Sequence, residues 1–270
     1  MNTQNKGHVH PVHLIINKAV KIFQEIGFST VSGPELETEW YNFDALNVAK
    51  DHPARDMQDT FWIDTPDGSR QVMRTHTSNM QIRSMEKWVK DNKEKFEKGE
   101  SVEPLAIICP GKVYRNEATD ARHEANFFQL ECLFVDEKEK VSVGNLKWTI
   151  EKYLSGLFNQ DLKVRLRSSF FPFVEPALEV DMSCFLCKES GKVVKDGEEK
   201  KCSVCSGTGF IEIMGSGMVH PNTLSMCGID AKKYAGFAFG GGVERVAMLL
   251  YGIEDIRHLY NGDMRFTNQF

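Results

Sequence analysis

No stretch of this 270-residue chain approaches the ~18 consecutive apolar residues of a membrane span. The opening, MNTQNKGHVHPVHLIINKAV, lacks the continuous apolar run of a secretory signal, so the expectation is a soluble cytoplasmic protein with no membrane attachment. Positive charge is not in excess either. A net charge of −5 argues against a broad basic surface for nucleic acid, and leaves RNA to a local patch or a partner subunit. Internal repeats and low-complexity linkers are absent. So are the familiar nucleotide fingerprints: in FAFGGGVERVAMLLYG, Gly240, Gly241 and Gly242 fit neither GxGxxG nor GxxxxGK(S/T). Cysteine is scattered at Cys109, Cys132 and Cys227 and clustered only at Cys184, Cys187, Cys202 and Cys205, which suits a reducing compartment and a metal site better than disulfides.

What is present reads as one large domain, residues 1–270, with a small insert at 184–205. Ile15, Ala19, Ile22, Phe23 and Ile26 recur at helical spacing, and Gly27 can end that helix. FSTVSGPE reads as a short strand turning at Gly33–Pro34, and the aperiodic residues 40–63 as a segment that wraps the surface. QVMRTHTSNMQIRSMEKWVKDNKEKF reads as a strand and a helix whose charged end faces solvent. PLAIIC, KVYR and NFFQLECLFVD read as three strands, the last alternating cleanly, followed by a helix over 143–158 and a strand at LKVRLR. LEVDMS leads into the cysteine insert, FIEIMG reads as a strand, and the glycines as a tight turn of positive φ opening a helix. Strands returning by hairpins and short loops give an α+β expectation, with a mainly antiparallel sheet flanked by helices.

Two elements suggest chemistry. VYRNEATDARHEANFFQLE reads as a strand, a charged loop and a returning strand; on its own it is equally a solvated hairpin. Its Arg115 offers a planar fork for phosphate oxygens, and Phe127 a face for a planar base. Arg245 sits in the first turn of the helix after the glycines, where the dipole disfavours a cation unless an anion lies near. Two arginines on two elements could clamp a triphosphate. Separately, Cys184-x2-Cys187-x14-Cys202-x2-Cys205 has the spacing of a closed tetrahedral zinc site, and its place on a charged hairpin suits a structural staple.

These stretches resemble a known family. VYRNE is similar to motif 2 and GGGVER to motif 3 of class II aminoacyl-tRNA synthetases, and SGPELE, with Pro34, to motif 1 at their subunit interface. RTHTSNMQIR, SSFFPFVEPALEVDM, GSGMVHPNTL and YGIEDIRHLYNGDMRFTNQF extend the likeness, in order, to the α subunits of bacterial phenylalanyl-tRNA synthetases. The resemblance implies a class II catalytic core that makes phenylalanyl-adenylate from phenylalanine and ATP, then charges the 3′ end of tRNA(Phe). It implies Mg²⁺ as cofactor and a β subunit as partner in an α2β2 heterotetramer.

By position, Arg115 and Arg245 become the catalytic and ATP-binding arginines. Glu117, His123, Phe127, Gly240 and Gly242 complete the ATP site, with Phe127 on adenine and His123 near the outer phosphates. His76, Ser78, Gln81, Gln129 and Glu131 would hold the ammonium and carboxylate of phenylalanine. Phe171 and Phe173 would meet its ring, and Ala238 would form the floor. Glu212 is the candidate Mg²⁺ carboxylate. Phe128 and Cys132 stand where many relatives have histidine and glycine, and Gln58 where some have tryptophan or histidine. The coiled-coil arm that usually opens such subunits is expected to be missing. Two rival readings fit the same fold: a paralogue that activates an amino acid without charging tRNA, and a non-catalytic zinc module. Loss of either arginine would have favoured the second, and both are present.

Overall fold

Residues 7–55, 60–66 and 68–270 are described by a computed structural model of the chain; Gln58 lies outside them. The elements run α1 (Pro11–Glu25), β1 (Ser29–Thr30), β2 (Leu36–Thr38), α2 (Glu39–Asn42), β3 (Trp62–Asp64), β4 (Arg70–Met73), α3 (Asn79–Asp91), α4 (Lys93–Lys98), β5 (Leu105–Tyr114), β6 (Asn126–Glu137) and α5 (Val143–Phe158). They continue with β7 (Val164–Phe171), β8 (Val174–Ser183), β9 (Lys192–Lys195), β10 (Glu198–Lys201), β11 (Phe210–Val219), α6 (Pro221–Met226), β12 (Tyr234–Gly242), α7 (Val243–Tyr251) and α8 (Met264–Thr267).

One seven-stranded sheet, ordered β1-β5-β6-β12-β11-β8-β7, organises the chain. Its neighbours are antiparallel except for β1, which runs parallel to β5. Alternation along the strands gives the sheet two different faces. On one, Leu130, Cys132, Phe237 and Phe239 pack against α1 (Ile15, Phe23), α5 (Ile150, Leu154) and α7 (Val246, Ala247). Each large side chain buried this way contributes about 1.5–3 kcal/mol. On the other face, Ile107, Leu133, Val135 and Ala238 meet α3 (Ile82, Met85) and Phe43–Leu46 over part of the sheet only. The rest of that face stays open, and the site lies there. No helix among the described residues is long and apolar enough to cross a membrane.

Three expectations need correction. The aperiodic segment does not lie wholly on the surface: among its described residues Phe43, Ala45 and Leu46 are at most 2% exposed and form core. Within it, buried Arg55 pairs with Glu39 at 2.8 Å and Asp44 at 2.7 Å. PLAIIC and KVYR are one strand, β5, running through Pro110. Ile108 faces β1, accepting a bond from Val31 N, so Pro110, two residues on, turns its missing N–H to the edge beyond short β1. The glycine run is not a turn either. Gly240 and Gly241 belong to β12, Gly242 caps α7 in an extended conformation, and none of the three has positive φ.

Candidate functional site

The middle of β6 carries a carboxylate into the protein. Glu131, 7% exposed, accepts Thr77 N at 2.9 Å on one oxygen, and Ser78 Oγ at 2.5 Å and Gln81 Nε2 at 2.7 Å on the other. Ser78 is the N-cap of α3, so the carboxylate sits at a helix N-terminus, where backbone N–H groups favour an anion. Burial nonetheless outweighs these donors and raises its pKa above the ordinary carboxylate value. Such a group gains most from a cation placed beside it.

Gly240 lies directly across the ladder from Glu131. A Cβ there would come within 2.4 Å of Glu131 Cγ, so the glycine is required for close approach. Its other neighbour, Gly215, faces the Phe171 ring in the same way, at 3.0 Å. Together they leave a cavity of about 330 Å³ lined by His76, Ser78, Gln81, Arg115, Gln129, Glu131, Phe171, Phe173, Val174, Gly215, Ser216, Ala238, Phe239 and Gly240. All eight residues expected around phenylalanine therefore meet at one cavity. Six further lining residues, Arg115, Val174, Gly215, Ser216, Phe239 and Gly240, are not assigned to it by the sequence, which places Arg115 and Gly240 with ATP.

The cavity is chemically divided. Phe171 and Phe173, nearly parallel with centroids 6.0 Å apart, make an apolar end with Val174 and Ala238. At the polar end, the Gln129 amide, turned to suit its neighbours, donates to Glu131 at 3.3 Å and accepts from Arg115 at 3.1 Å. His76 Nε2 lies 3.0 Å from Asn42 O, which makes it the donor and leaves Nδ1 an acceptor; Nδ1 is buried with no partner. Burial first, and then the Arg115 charge, hold His76 down at about 4, so the ring is neutral near pH 7. Asn42, fully buried and bonded through its side chain to Thr75, supports this segment; an asparagine in an aperiodic stretch gave no signal of it.

Arg115 joins this cavity to a second, more open region. Its Nε donates to Thr75 O at 3.2 Å, and its guanidinium lies 5.2 Å from the centre of the Phe127 ring. Glu117 and His123 are exposed in the loop between β5 and β6. The His123 ring lies 3.0 Å from Asp120, a contact that with neighbouring backbone N–H groups lowers the Asp120 pKa to about 2. Arg245, in the first turn of α7, makes no hydrogen bond or ion pair among the described residues; partial desolvation of its guanidinium and nearby Arg122 lower its pKa, against Glu212. Gly242 bears no contact that a Cβ would disturb. Glu212 is exposed and bound to Arg167 at 2.7 Å. It offers a single carboxylate, so an ion there would take its other oxygens from phosphate and water.

The four clustered cysteines do converge. Their sulfurs lie within 4.8 Å of one another, with Cys184–Cys202 at 3.8 Å and Cys187–Cys205 at 3.6 Å. A tetrahedron of Zn–S bonds near 2.3 Å sets sulfurs about 3.8 Å apart, so the set fits such an ion and excludes disulfides. Gly209 N donates to Cys205 Sγ at 3.3 Å, a contact that favours the thiolate form of a metal ligand.

Comparison with known proteins agrees with this geometry. The family model for the tRNA synthetases class II core domain (F) matches residues 1–270. Phenylalanine–tRNA ligase alpha subunits of Bacillus subtilis and Bacillus pumilus are 49% and 50% identical over 264 residues, covering 98% of this chain and 69% of theirs. That of Macrococcus caseolyticus is 50% identical over 98% of this chain and 67% of its own. A pyrrolysyl tRNA synthetase, PylSc of Desulfitobacterium hafniense, superposes with a TM-score of 0.62 at 17% identity, over 93% of this chain and 72% of that one. The chain belongs to the class II tRNA synthetase core family.

Proposed function

We propose that the chain is the catalytic α subunit of a phenylalanine–tRNA ligase, activating phenylalanine with ATP and passing it to the 3′ end of tRNA(Phe). The observation that carries this reading is the divided cavity, with a buried carboxylate at one end and paired phenylalanine rings at the other. Glu131 takes the substrate ammonium, with Gln129, Ser78 and Gln81 orienting it and His76 Nδ1 offering a further acceptor. Phe171, Phe173, Val174 and Ala238 take the benzyl group. A pocket of this kind rejects an added hydroxyl by only about a hundredfold, so tyrosine is expected to enter weakly.

The substrate carboxylate is a nucleophile at neutral pH and needs no general base. It attacks the ATP α-phosphorus in line, and the leaving group is pyrophosphate. Arg115 spans both regions, so it holds carboxylate and α-phosphate together and neutralises charge as it develops. Arg245 binds the outer phosphates with His123, while Phe127 and Glu117 take adenine. Mg²⁺, held at Glu212 and by the phosphates, would add positive charge there. In the second step a ribose hydroxyl of the tRNA end attacks the activated carbonyl and AMP leaves.

Zinc in the four-cysteine cluster braces the β9–β10 hairpin. Carefully purified protein is expected to hold one tightly bound zinc per chain, and a clearly smaller content would count against the assignment. A β subunit completes an α2β2 enzyme in the cytoplasm. The deciding assay is phenylalanine-dependent ATP–pyrophosphate exchange, by the chain alone and with β. Exchange lost in Arg115→Ala supports the reading. No exchange with β, from folded and zinc-loaded protein, overturns it.

A further inference from the structure

One buried carboxylate has no part in the chemistry above. Glu244 is 1% exposed, in the first turn of α7 and next to Arg245. The pairing of β12 with β6 ends at Gly242 opposite Gln129, because the chain then enters α7. Phe128, the next residue of β6, is therefore left without a β12 partner for its N–H. Glu244 Oε1 supplies the missing acceptor at 2.8 Å. The same oxygen accepts the hydroxyl of Tyr260, while Oε2 is buried with no partner.

Tyr260 belongs to a segment that also touches the β5–β6 loop, since Ile256 N donates to Ala121 O at 3.0 Å. The segment is itself tied down where His10 Nε2 meets Leu259 O at 2.9 Å. Residues 256–260 therefore grip both the loop bearing Glu117 and His123 and the strand residue after Phe127.

We propose that Glu244 and Tyr260 are positioning residues that clasp the β5–β6 loop and Phe128 in the conformation that receives ATP. This rests on the reading of Glu117, His123 and Phe127 as the nucleotide site. It acts on ATP and not on the amino acid, because Gln129 and Glu131, further along β6, keep their own β12 partners.

The test uses the chain with its β subunit and reads both hydrogen exchange and pyrophosphate exchange. In Tyr260→Phe the Glu244 oxygen loses a donor. The amides of Phe128 and residues 117–125 are expected to exchange about tenfold faster, with 130–135 unchanged. KM for ATP should rise about tenfold, while KM for phenylalanine stays within about twofold. Glu244→Gln keeps an acceptor oxygen for both donors and is expected within about threefold of the parent, whereas Glu244→Ala should match Tyr260→Phe or exceed it. Unchanged protection at Phe128, equal rises in both KM values, or a Gln variant as impaired as the Ala variant would each overturn the clasp. Hydrogen exchange needs no activity. A loop loosened in a chain whose parent shows no pyrophosphate exchange would instead overturn the ATP reading, and this inference with it.

Discussion

Glu131 is buried and holds four donors before any ligand arrives, whereas Arg245 stands near Arg122 with no ion pair among the described residues. The first belongs to a cavity whose polar end is already bonded and whose apolar end is already packed. The second belongs to a face where Arg122 and Glu212 act on it in opposite senses and His123 meets Asp120. The contrast has a physical origin. A small ligand with one charge of each sign needs a preformed site, because a buried carboxylate without fixed partners would be too costly to maintain. A triphosphate brings enough charge to order exposed arginines itself, and solvent screens their repulsion until it binds.

That difference can be tested from its strongest consequence downwards. On the proposed function, Glu131→Ala removes the counter-charge of the substrate ammonium and strands four donors. The kcat/KM for phenylalanine should fall about a thousandfold, or about 4 kcal/mol, in pyrophosphate exchange, with a lowered Tm. Arg115→Ala removes one donor to the developing charge and should lower kcat about a hundredfold to a thousandfold, with little change in Tm. Equal losses of stability in the two variants would erase the distinction. Gly240→Ala forces a Cβ against Glu131 Cγ and should raise KM for phenylalanine about tenfold to a hundredfold, with KM for ATP nearly unchanged.

His76 sharpens the comparison through pH. Its folded pKa of about 4 lies below the ordinary value of 6.5, so the unfolded chain binds more protons between them. The stability tied to neutral His76 is therefore complete above pH 6.5 and is lost as pH falls toward 4. Between pH 7.5 and 5 the parent should lose about 2 kcal/mol more than His76→Gln in urea unfolding. The smallest effect is expected at the exposed face, where His123→Ala should raise KM for ATP by about threefold or less and leave Tm alone.

Much of the site was legible because its residues fall in short stretches of distinctive order. THTSNMQIR carries three of the expected cavity residues and FFPFVEP two, and all eight expected residues meet at one cavity. The missed ones depend on pairing. Nothing local tells that Gly215 lies beside Gly240, or that Asn42 reaches Thr75 across 33 positions. The glycines were misread for the same reason: a run of three suggests a turn, but in β12 the missing side chains make room for Glu131 and for Met214 of the neighbouring strand.

By itself the sequence determined the alternation of β6, the 143–158 helix, the four-cysteine spacing and the types of side chain the chemistry needs. Each of these is a relation between residues close along the chain, which period and spacing express directly. Only the tertiary structure decided that part of the aperiodic segment is core, that β5 runs unbroken through Pro110, and that Glu244 closes the end of β6. Those outcomes depend on which strand ends where beside another, and the free energy that selects them comes from burial and hydrogen bonds between distant segments.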